Sequence, residues 1–431
     1  MVYTRRRDSN RHGGSAIRLS ELARAQYKGR FPAYCSMSDS APSTPTARAA
    51  IGSLVASQIR EVANAGIDDP TVLRFWFGEP DEITPSFIRE EAAASLARGE
   101  TFYTHNFGIV ELREAIAAYL TRLHRPIDPA SIAVTASGMS ALMLSAEALV
   151  GAHDHVVAVT PLWPNLVEIP KILGARVTSV PLAFTSGGWK LDLDRLLDAL
   201  TPATRVLMVN SPNNPTGWTL TPVEQDAILR HCRKHGTWIV ADDVYERLYY
   251  GDAAAAPSFL DLAEPQDRVL STNSFSKAWS MTGWRLGWIV APLPLMNDLG
   301  KLIEYNTSCS PVFVQRAGVV AIERGEATVA RTLSRYRAAR DYLIGALAEL
   351  PGIEIGSPPG AMYAFFRLRG LRDSLSFCKQ LVRDGKVGLA PGSAFGAEGE
   401  GFLRWCFASD TSRLAEGVAR FSRFLASRDS K

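Results

Sequence analysis

Ser274, Ser276, Lys277 and Arg285 place two hydroxyls, a primary amine and a fixed guanidinium within twelve positions. Hydroxyls and a guanidinium suit a phosphate dianion, the guanidinium through a planar, two-pronged contact. A lysine amine beside them can attack an aldehyde and, when desolvated, act as a base near neutral pH. Ser137-Gly138-Met139 stands where an apolar run passes into the helical pattern Ala141–Leu149. Backbone N–H groups at such a junction also bind phosphate. Asp242 could pair with a cation, and Asn214 and Tyr245 could donate hydrogen bonds. Trp163 offers a flat surface for an aromatic ring. A phosphorylated heteroaromatic cation beside a lysine amine points to pyridoxal phosphate held as a Schiff base.

These residues need a scaffold that brings them together. From residue 131 short β-rich runs alternate with helical patterns. The runs are Ile132–Val134, Val156–Val159, Arg176–Val180, Val206–Val209, Trp238–Ala241, Val269–Thr272 and Leu286–Val290. Near-continuous apolar runs of this length predict strands buried on both faces of a mostly parallel sheet. Ligands bind such sheets outside the carboxyl ends of the strands. The residues after the runs include Ser137, Trp163, Asn214, Asp242, Tyr245, Ser274 and Lys277. Chemistry-bearing side chains therefore gather at one end of the sheet. Upstream, Thr46 is expected to cap one helix from Ala47, with Ile51, Leu54, Val55, Ile59 and Val62 on its apolar face and Gly66 as its stop. Residues 85–124 read as helix, loop, helix. Downstream come a helical stretch from Val312 to Leu350, strands near Ala364–Leu368, Val387–Ala390 and Phe402–Phe407, and a last helix from Ser412.

The chain has 431 residues, 46% apolar and 21% charged, which excludes a disordered, collagen-like or coiled-coil protein. Its net charge of +3 is uneven. Residues 1–36 hold eight basic and two acidic residues, and the remainder is mildly acidic. That balance argues against nucleic acid as a partner. No stretch is long and apolar enough for a membrane span. Five cysteines without a CxxC pair point to a reducing compartment, the cytoplasm. The first 36 residues read as a disordered tail, a transit-like peptide or an upstream start read in error, with tail or start favoured over transit peptide and Met37 as a candidate natural start.

Asn214-Pro215-Thr216-Gly217, Asp242-x-x-Tyr245, Ser274-x-Ser276-Lys277, Arg285 and Arg404 together resemble the class I/II, fold type I, pyridoxal-phosphate aminotransferases. The intervals are 28 residues from Asn214 to Asp242, 35 from Asp242 to Lys277 and eight from Lys277 to Arg285. Ordered motifs at these intervals are far more specific than any one alone. The resemblance covers about residues 37–428. It includes Tyr103 five residues before Gly108, Glu111-Leu112-Arg113, Pro359-Gly360-Ala361 and Pro391-Gly392-Ser393.

The resemblance implies an α/β fold of fold type I. Its large domain, residues 87–312, carries a seven-stranded, mostly parallel sheet. Its smaller α+β domain comes from both chain ends, residues 37–86 and 313–431. The activity implied is ping-pong transamination between an L-amino acid and a 2-oxo acid. Aspartate or an aromatic amino acid with 2-oxoglutarate is the default pair. Lys277 would form the Schiff base and shuttle the proton. Asp242 would pair with the pyridinium nitrogen, while Tyr245 and Asn214 bond the phenolic oxygen. Trp163 would stack on the ring. Ser137, Gly138, Met139, Ser274, Ser276 and Arg285 would cradle the phosphate. Arg404 would grip the substrate α-carboxylate, with Gly78, Trp163 and Asn214 beside it. Tyr103 would reach the phosphate of the other subunit, giving a homodimer with shared sites. The resemblance departs at Met139, where some members carry a lysine or other polar residue facing the substrate.

Blander readings stand beside these. Lys277 alone could be a surface lysine, but its place after a strand and beside Ser274 and Ser276 argues otherwise. Trp163 could be core. Arg404 lies within the apolar run Phe402–Phe407, and a buried charge needs a partner. Asp243, next to Asp242 and facing away from it, is expected to be exposed or to cap. No metal site is expected at His231 and His235 or around Asp154. A β-eliminating lyase acting on cysteine conjugates shares the lysine, the aspartate and the phosphate cradle, so it is the alternative. A non-catalytic regulator would need a DNA-binding module, and residues 1–36 are too short for one. A cofactor-free binding protein leaves Lys277 and its serines unexplained.

Overall fold

The computed structural model describes residues 46–429. The Arg-rich stretch 1–36 and Met37 lie outside the described residues. Contacts divide the chain into two units, 1–47 and 48–431, and the second contains all the elements below.

All seven expected runs become strands of one sheet. They are β1 (Ile132–Thr135), β2 (His155–Thr160), β3 (Arg176–Pro181), β4 (Thr204–Asn210), β5 (Trp238–Asp242), β6 (Val269–Ser274) and β7 (Gly287–Val290). Their order across the sheet is β1-β7-β6-β5-β4-β2-β3. Only β7 runs antiparallel to its neighbours. The other pairs are parallel. Every residue of β1, β6 and β7 is buried, as helices on both faces require. Strand β3 departs from the expected double burial. It is the sheet edge, paired only with β2, and much of it is exposed.

The carboxyl ends of β4 and β5 are in register, Asn210 opposite Asp242. Beside them the helix Gly138–Leu149 starts directly after β1, with the Ser137 hydroxyl accepting the Ser140 N–H at 3.1 Å. The helix Val312–Arg324 packs on the helices Ser86–Ala97 and Val110–Leu123 beside this sheet.

A second sheet has the order β8-β9-β11-β10, all antiparallel: β8 (Ile353–Glu354), β9 (Tyr363–Leu368), β10 (Ala390–Pro391) and β11 (Phe402–Cys406). The expected strand Val387–Ala390 divides in two. Val387-Gly388 pairs in parallel with Leu73-Arg74, and only Ala390–Pro391 joins this sheet. Gly388 permits that pairing, because a Cβ there would come within 2.0 Å of the Trp76 ring. Ile59, Val62, Phe75 and Trp76 share a core with Tyr363–Phe366, Phe402 and Leu403, so both ends of the described chain build this part.

The single helix expected from Ala47 is broken. Ala49–Gly52 forms one turn, and a new helix, Gln58–Asn64, starts at Ser57, whose hydroxyl accepts the Arg60 N–H. Ile59 and Val62 are buried, whereas Ile51 and Val55 are exposed. The apolar spacing ran across two elements with different surroundings.

Candidate active site

A cavity of about 640 Å³ opens between the carboxyl ends of the large sheet and the second sheet. That volume suits a cofactor together with a small substrate. Separate elements feed it. Asn210 and Asp242 come from the ends of β4 and β5, Ser274 from the end of β6, and Gly138 and Met139 from the helix N-terminus after β1. Ser276, Lys277 and Arg285 follow β6 on the loop that returns to β7. Tyr363 and Arg404 come from β9 and β11 of the second sheet.

Twelve of the fourteen residues expected from sequence line this cavity: Gly78, Gly138, Met139, Trp163, Asn214, Asp242, Tyr245, Ser274, Ser276, Lys277, Arg285 and Arg404. Ser137 and Tyr103 do not. Ser137 is buried beneath it as the helix cap. Tyr103 is 89% exposed in the single chain.

The charged groups are poised in a particular way. Burial pulls the Lys277 amine down to about 8, and the Arg404 and Arg285 guanidiniums push the same way. Its Nζ donates to the Gly78 carbonyl. Burial drives the Asp242 carboxyl up to about 7, against the opposing pull of the Val244 N–H and of Lys277. The carboxylate accepts that N–H at 3.3 Å. A buried carboxylate held so weakly would be stabilised by a cation in the cavity.

Arg404 is 2% exposed. Its Nη1 donates to Asn214 Oδ1 at 3.0 Å and its Nη2 to the Trp76 carbonyl. Its Nε has no partner among the described residues, and the two oxygens that its other nitrogens meet are both uncharged. A buried guanidinium in that state calls for an anion supplied from outside the chain.

The phosphate end is equally preformed. Ser274 Oγ lies 2.8 Å from Ser276 Oγ. A Cβ on Gly138 would come within 3.1 Å of the Ser274 Cβ, so glycine keeps this corner open. Arg285 holds φ +53°, a left-handed conformation unusual for a side-chain-bearing residue, and its Nη1 donates to the Thr282 carbonyl at 2.7 Å. Strain of that kind collects at functional sites. The buried Asp242 carboxylate, the desolvated amine and the open anion corner fit pyridoxal phosphate.

Asp243 is corrected by the structure. It is neither exposed nor a helix cap but 3% exposed, and its Oδ2 accepts from the Ser271 and Ser258 hydroxyls at 2.6 and 3.2 Å.

Sequence reasoning missed Tyr363. Its hydroxyl lies 2.6 Å from that of Tyr245. It follows Pro359-Gly360-Ala361 by two residues, but an aromatic inside an apolar strand reads as core. Ser57 and Arg60 also line the cavity, and the serine cap was the available signal.

Comparison with known proteins identifies the family. The family described as "Aminotransferase class I and II" matches residues 71–421. The aspartate aminotransferase of Thermotoga maritima is 35% identical over 358 residues, 83% of this chain and 92% of that protein. The aromatic-amino-acid aminotransferase 2 of Thermococcus litoralis is 32% identical over 376 residues, 86% of this chain and 95% of that one. The crystal structure of an aromatic aminotransferase from Pyrococcus horikoshii superposes with a TM-score of 0.79 at 32% identity, covering 85% of this chain and 99% of that one. The chain belongs to the class I and II aminotransferases, fold type I enzymes that use pyridoxal phosphate to move an amino group between an amino acid and a 2-oxo acid.

Proposed function

We propose that the cavity is the transamination site, with its residues in the following roles. One observation carries the reading: Arg404 Nε, without a partner among the described residues, belongs to the same cavity as the desolvated Lys277 amine and the buried Asp242 carboxylate. Pyridoxal phosphate, when bound, supplies an electron sink conjugated to the substrate Cα. Lys277 Nζ would hold it and, once displaced by the substrate amine, would take the proton from the substrate Cα and later return it. A base with a pKa near 8 suits both directions of that transfer. Asp242 keeps the ring nitrogen protonated by charge. Tyr245 and Asn214 would donate to the phenolic oxygen, and Trp163 would stack on the ring. Ser274, Ser276, Arg285 and the Ser137–Met139 turn hold the phosphate. Arg404 grips the α-carboxylate beside Gly78 and Asn214. The two half-reactions run through one site, so the kinetics are ping-pong.

Aspartate or an aromatic amino acid with 2-oxoglutarate is the substrate pair to test first, and the aspartate and aromatic relatives support it. Those relatives favour transamination over β-elimination. We further propose a cytoplasmic homodimer with shared sites, in which Tyr103 serves the partner's phosphate. Phe102, Tyr103 and Tyr305 are 83%, 89% and 91% exposed, and large exposed aromatics mark interaction surfaces.

The test is turnover by purified enzyme given an amino donor with 2-oxoglutarate or pyruvate. Loss of turnover in Lys277→Ala is expected. Unimpaired turnover would refute the assignment, and ammonia and pyruvate formed without an added oxo acid would favour elimination. For the dimer, adding inactive Lys277→Ala chains to Tyr103→Phe chains, whose hold on the phosphate should be weakened, should raise activity above that of the Tyr103→Phe chains alone; no rise removes the shared site.

A further inference from the structure

Tyr363 is 1% exposed and lies on β9, where its backbone partner across the sheet is Cys406. Arg404 is opposite Phe365, so Tyr363, Phe365, Arg404 and Cys406 point from one face of the second sheet. Tyr363 and Arg404 are diagonal neighbours on that face, which brings a long side chain within reach of an aromatic ring. The Arg404 guanidinium carbon lies 4.5 Å from the centre of the Tyr363 ring. The Tyr363 hydroxyl crosses to the large sheet and meets Tyr245 Oη at 2.6 Å, with the two rings edge to face. One side chain thus touches the proposed carboxylate clamp and the proposed donor to the phenolic oxygen.

Two phenols sharing one hydrogen bond use one proton and leave the other free. If Tyr245 donates to an anionic oxygen in the cavity, its own oxygen is open to accept from Tyr363. Donors in such a chain strengthen one another. The ring does a different thing. A guanidinium over an aromatic face is attracted to it, which holds its plane and its Nε direction.

We propose that Tyr363 is a positioning residue with two separable actions: its hydroxyl turns the Tyr245 O–H into the cavity, and its ring orients Arg404. The inference rests on the roles given above to Tyr245 and Arg404, and the experiment keeps the two levels apart.

Tyr363→Phe removes the hydroxyl and keeps the ring. Tyr363→Leu removes both, with Tyr363→Met as a second apolar variant should the leucine variant fail to fold. Each is compared with wild type, Tyr245→Phe and Arg404→Lys by two readouts: the pH midpoint of the cofactor absorbance band without substrate, and separate kcat and KM for the amino donor. Donation to an anionic oxygen weakens its hold on a neighbouring proton, so losing donation raises that midpoint. Tyr363→Phe should raise it by roughly half a unit to one unit and leave KM within about twofold. Tyr363→Leu should add a roughly tenfold rise in KM. If Tyr245→Phe moves the midpoint and Tyr363→Phe does not, the hydroxyl action is wrong. If Arg404→Lys raises KM and Tyr363→Leu does not, the ring action is wrong. If Tyr245→Phe and Arg404→Lys are themselves silent, the roles of those two residues fail, and the inference with them.

Discussion

Gly78 and Tyr363 exclude one another's growth: a Cβ at Gly78 would lie 1.9 Å from Tyr363 Oη. Tyr363 cannot retreat cheaply, because its hydroxyl is engaged with Tyr245 and it sits in a fully buried strand segment. Gly78→Ala must therefore displace either the phenol or the loop whose carbonyl accepts from Lys277. Overpacking of this kind costs about 1–3 kcal/mol. A lower Tm and a kcat/KM reduced at least about tenfold are expected. A variant with unchanged steady-state kinetics would show that the loop moves freely.

Arg404→Gln removes the only guanidinium placed by β11 in the cavity. A hydrogen bond to a charged group is worth about 1.5–3 kcal/mol, so KM should rise roughly 10- to 100-fold for every amino donor. The uniformity is the diagnostic part, since the α-carboxylate is common to all of them. A KM rise confined to one donor would instead assign Arg404 to side-chain recognition.

Asp242→Asn keeps the shape and removes the charge. The variant should still take up pyridoxal phosphate, because the phosphate-holding residues lie elsewhere in the cavity. Its kcat should fall on the order of a hundredfold or more, as is usual when a fixed charge complementary to the reacting system is lost. Full activity of the Asp242→Asn enzyme, measured at saturating cofactor, would remove Asp242 from the mechanism.

Lys277 must be neutral to add to an aldehyde. Burial holds its amine at about 8 in the cofactor-free chain, below the ordinary value of 10.5. The rate at which cofactor-free protein takes up pyridoxal phosphate should rise with pH and level off above about 8. Stopped-flow absorbance from about pH 6 to about pH 10.5 checks this, a range that brackets both values. A rise that continues to the ordinary lysine range would mean that the amine is solvated before the cofactor arrives.

At the end of the helix Val110–Leu123, His124 lies between Asp261 Oδ1 at 2.7 Å and Glu246 Oε2 at 3.2 Å. Burial alone would lower its pKa, but those two carboxylates outweigh burial and hold it at about 10, against an ordinary 6.5. A folded pKa above the unfolded one means stability that is complete below about 6.5 and lost as pH rises through 10. His124→Gln should therefore be destabilised most at about pH 6 and progressively less towards about pH 10, by urea unfolding of the cofactor-free protein. A gap independent of pH would show that the imidazole contributes packing and not charge.

Much of the architecture was legible in the residues. Strands buried on both faces tend to be apolar along their length, so β1, β2, β4, β5 and β7 announced themselves, whereas only Val269 and Leu270 of β6 are apolar. The same physics sends polar side chains to the strand ends, which is why Ser274, Lys277, Asp242 and Asn214 could be grouped in advance. Local patterns misled where burial depended on distant partners. Ile51 and Val55 continue the spacing of Ile59 and Val62 but lie before a new helix start, and they have no core to enter.

Residue type and spacing alone determined which groups can hold a phosphate, an aldehyde and a carboxylate, because those capacities belong to the side chains themselves. Tertiary structure alone decided their state. It desolvated Lys277 and Asp242, left Arg404 Nε without a partner among the described residues, and buried Asp243 against the Ser271 and Ser258 hydroxyls. It also brought Tyr363 from a strand more than a hundred residues away to Tyr245. The physical reason is that solvation and long-range contact arise from chain segments packed around a group, and nothing in a group's own neighbourhood of sequence specifies them.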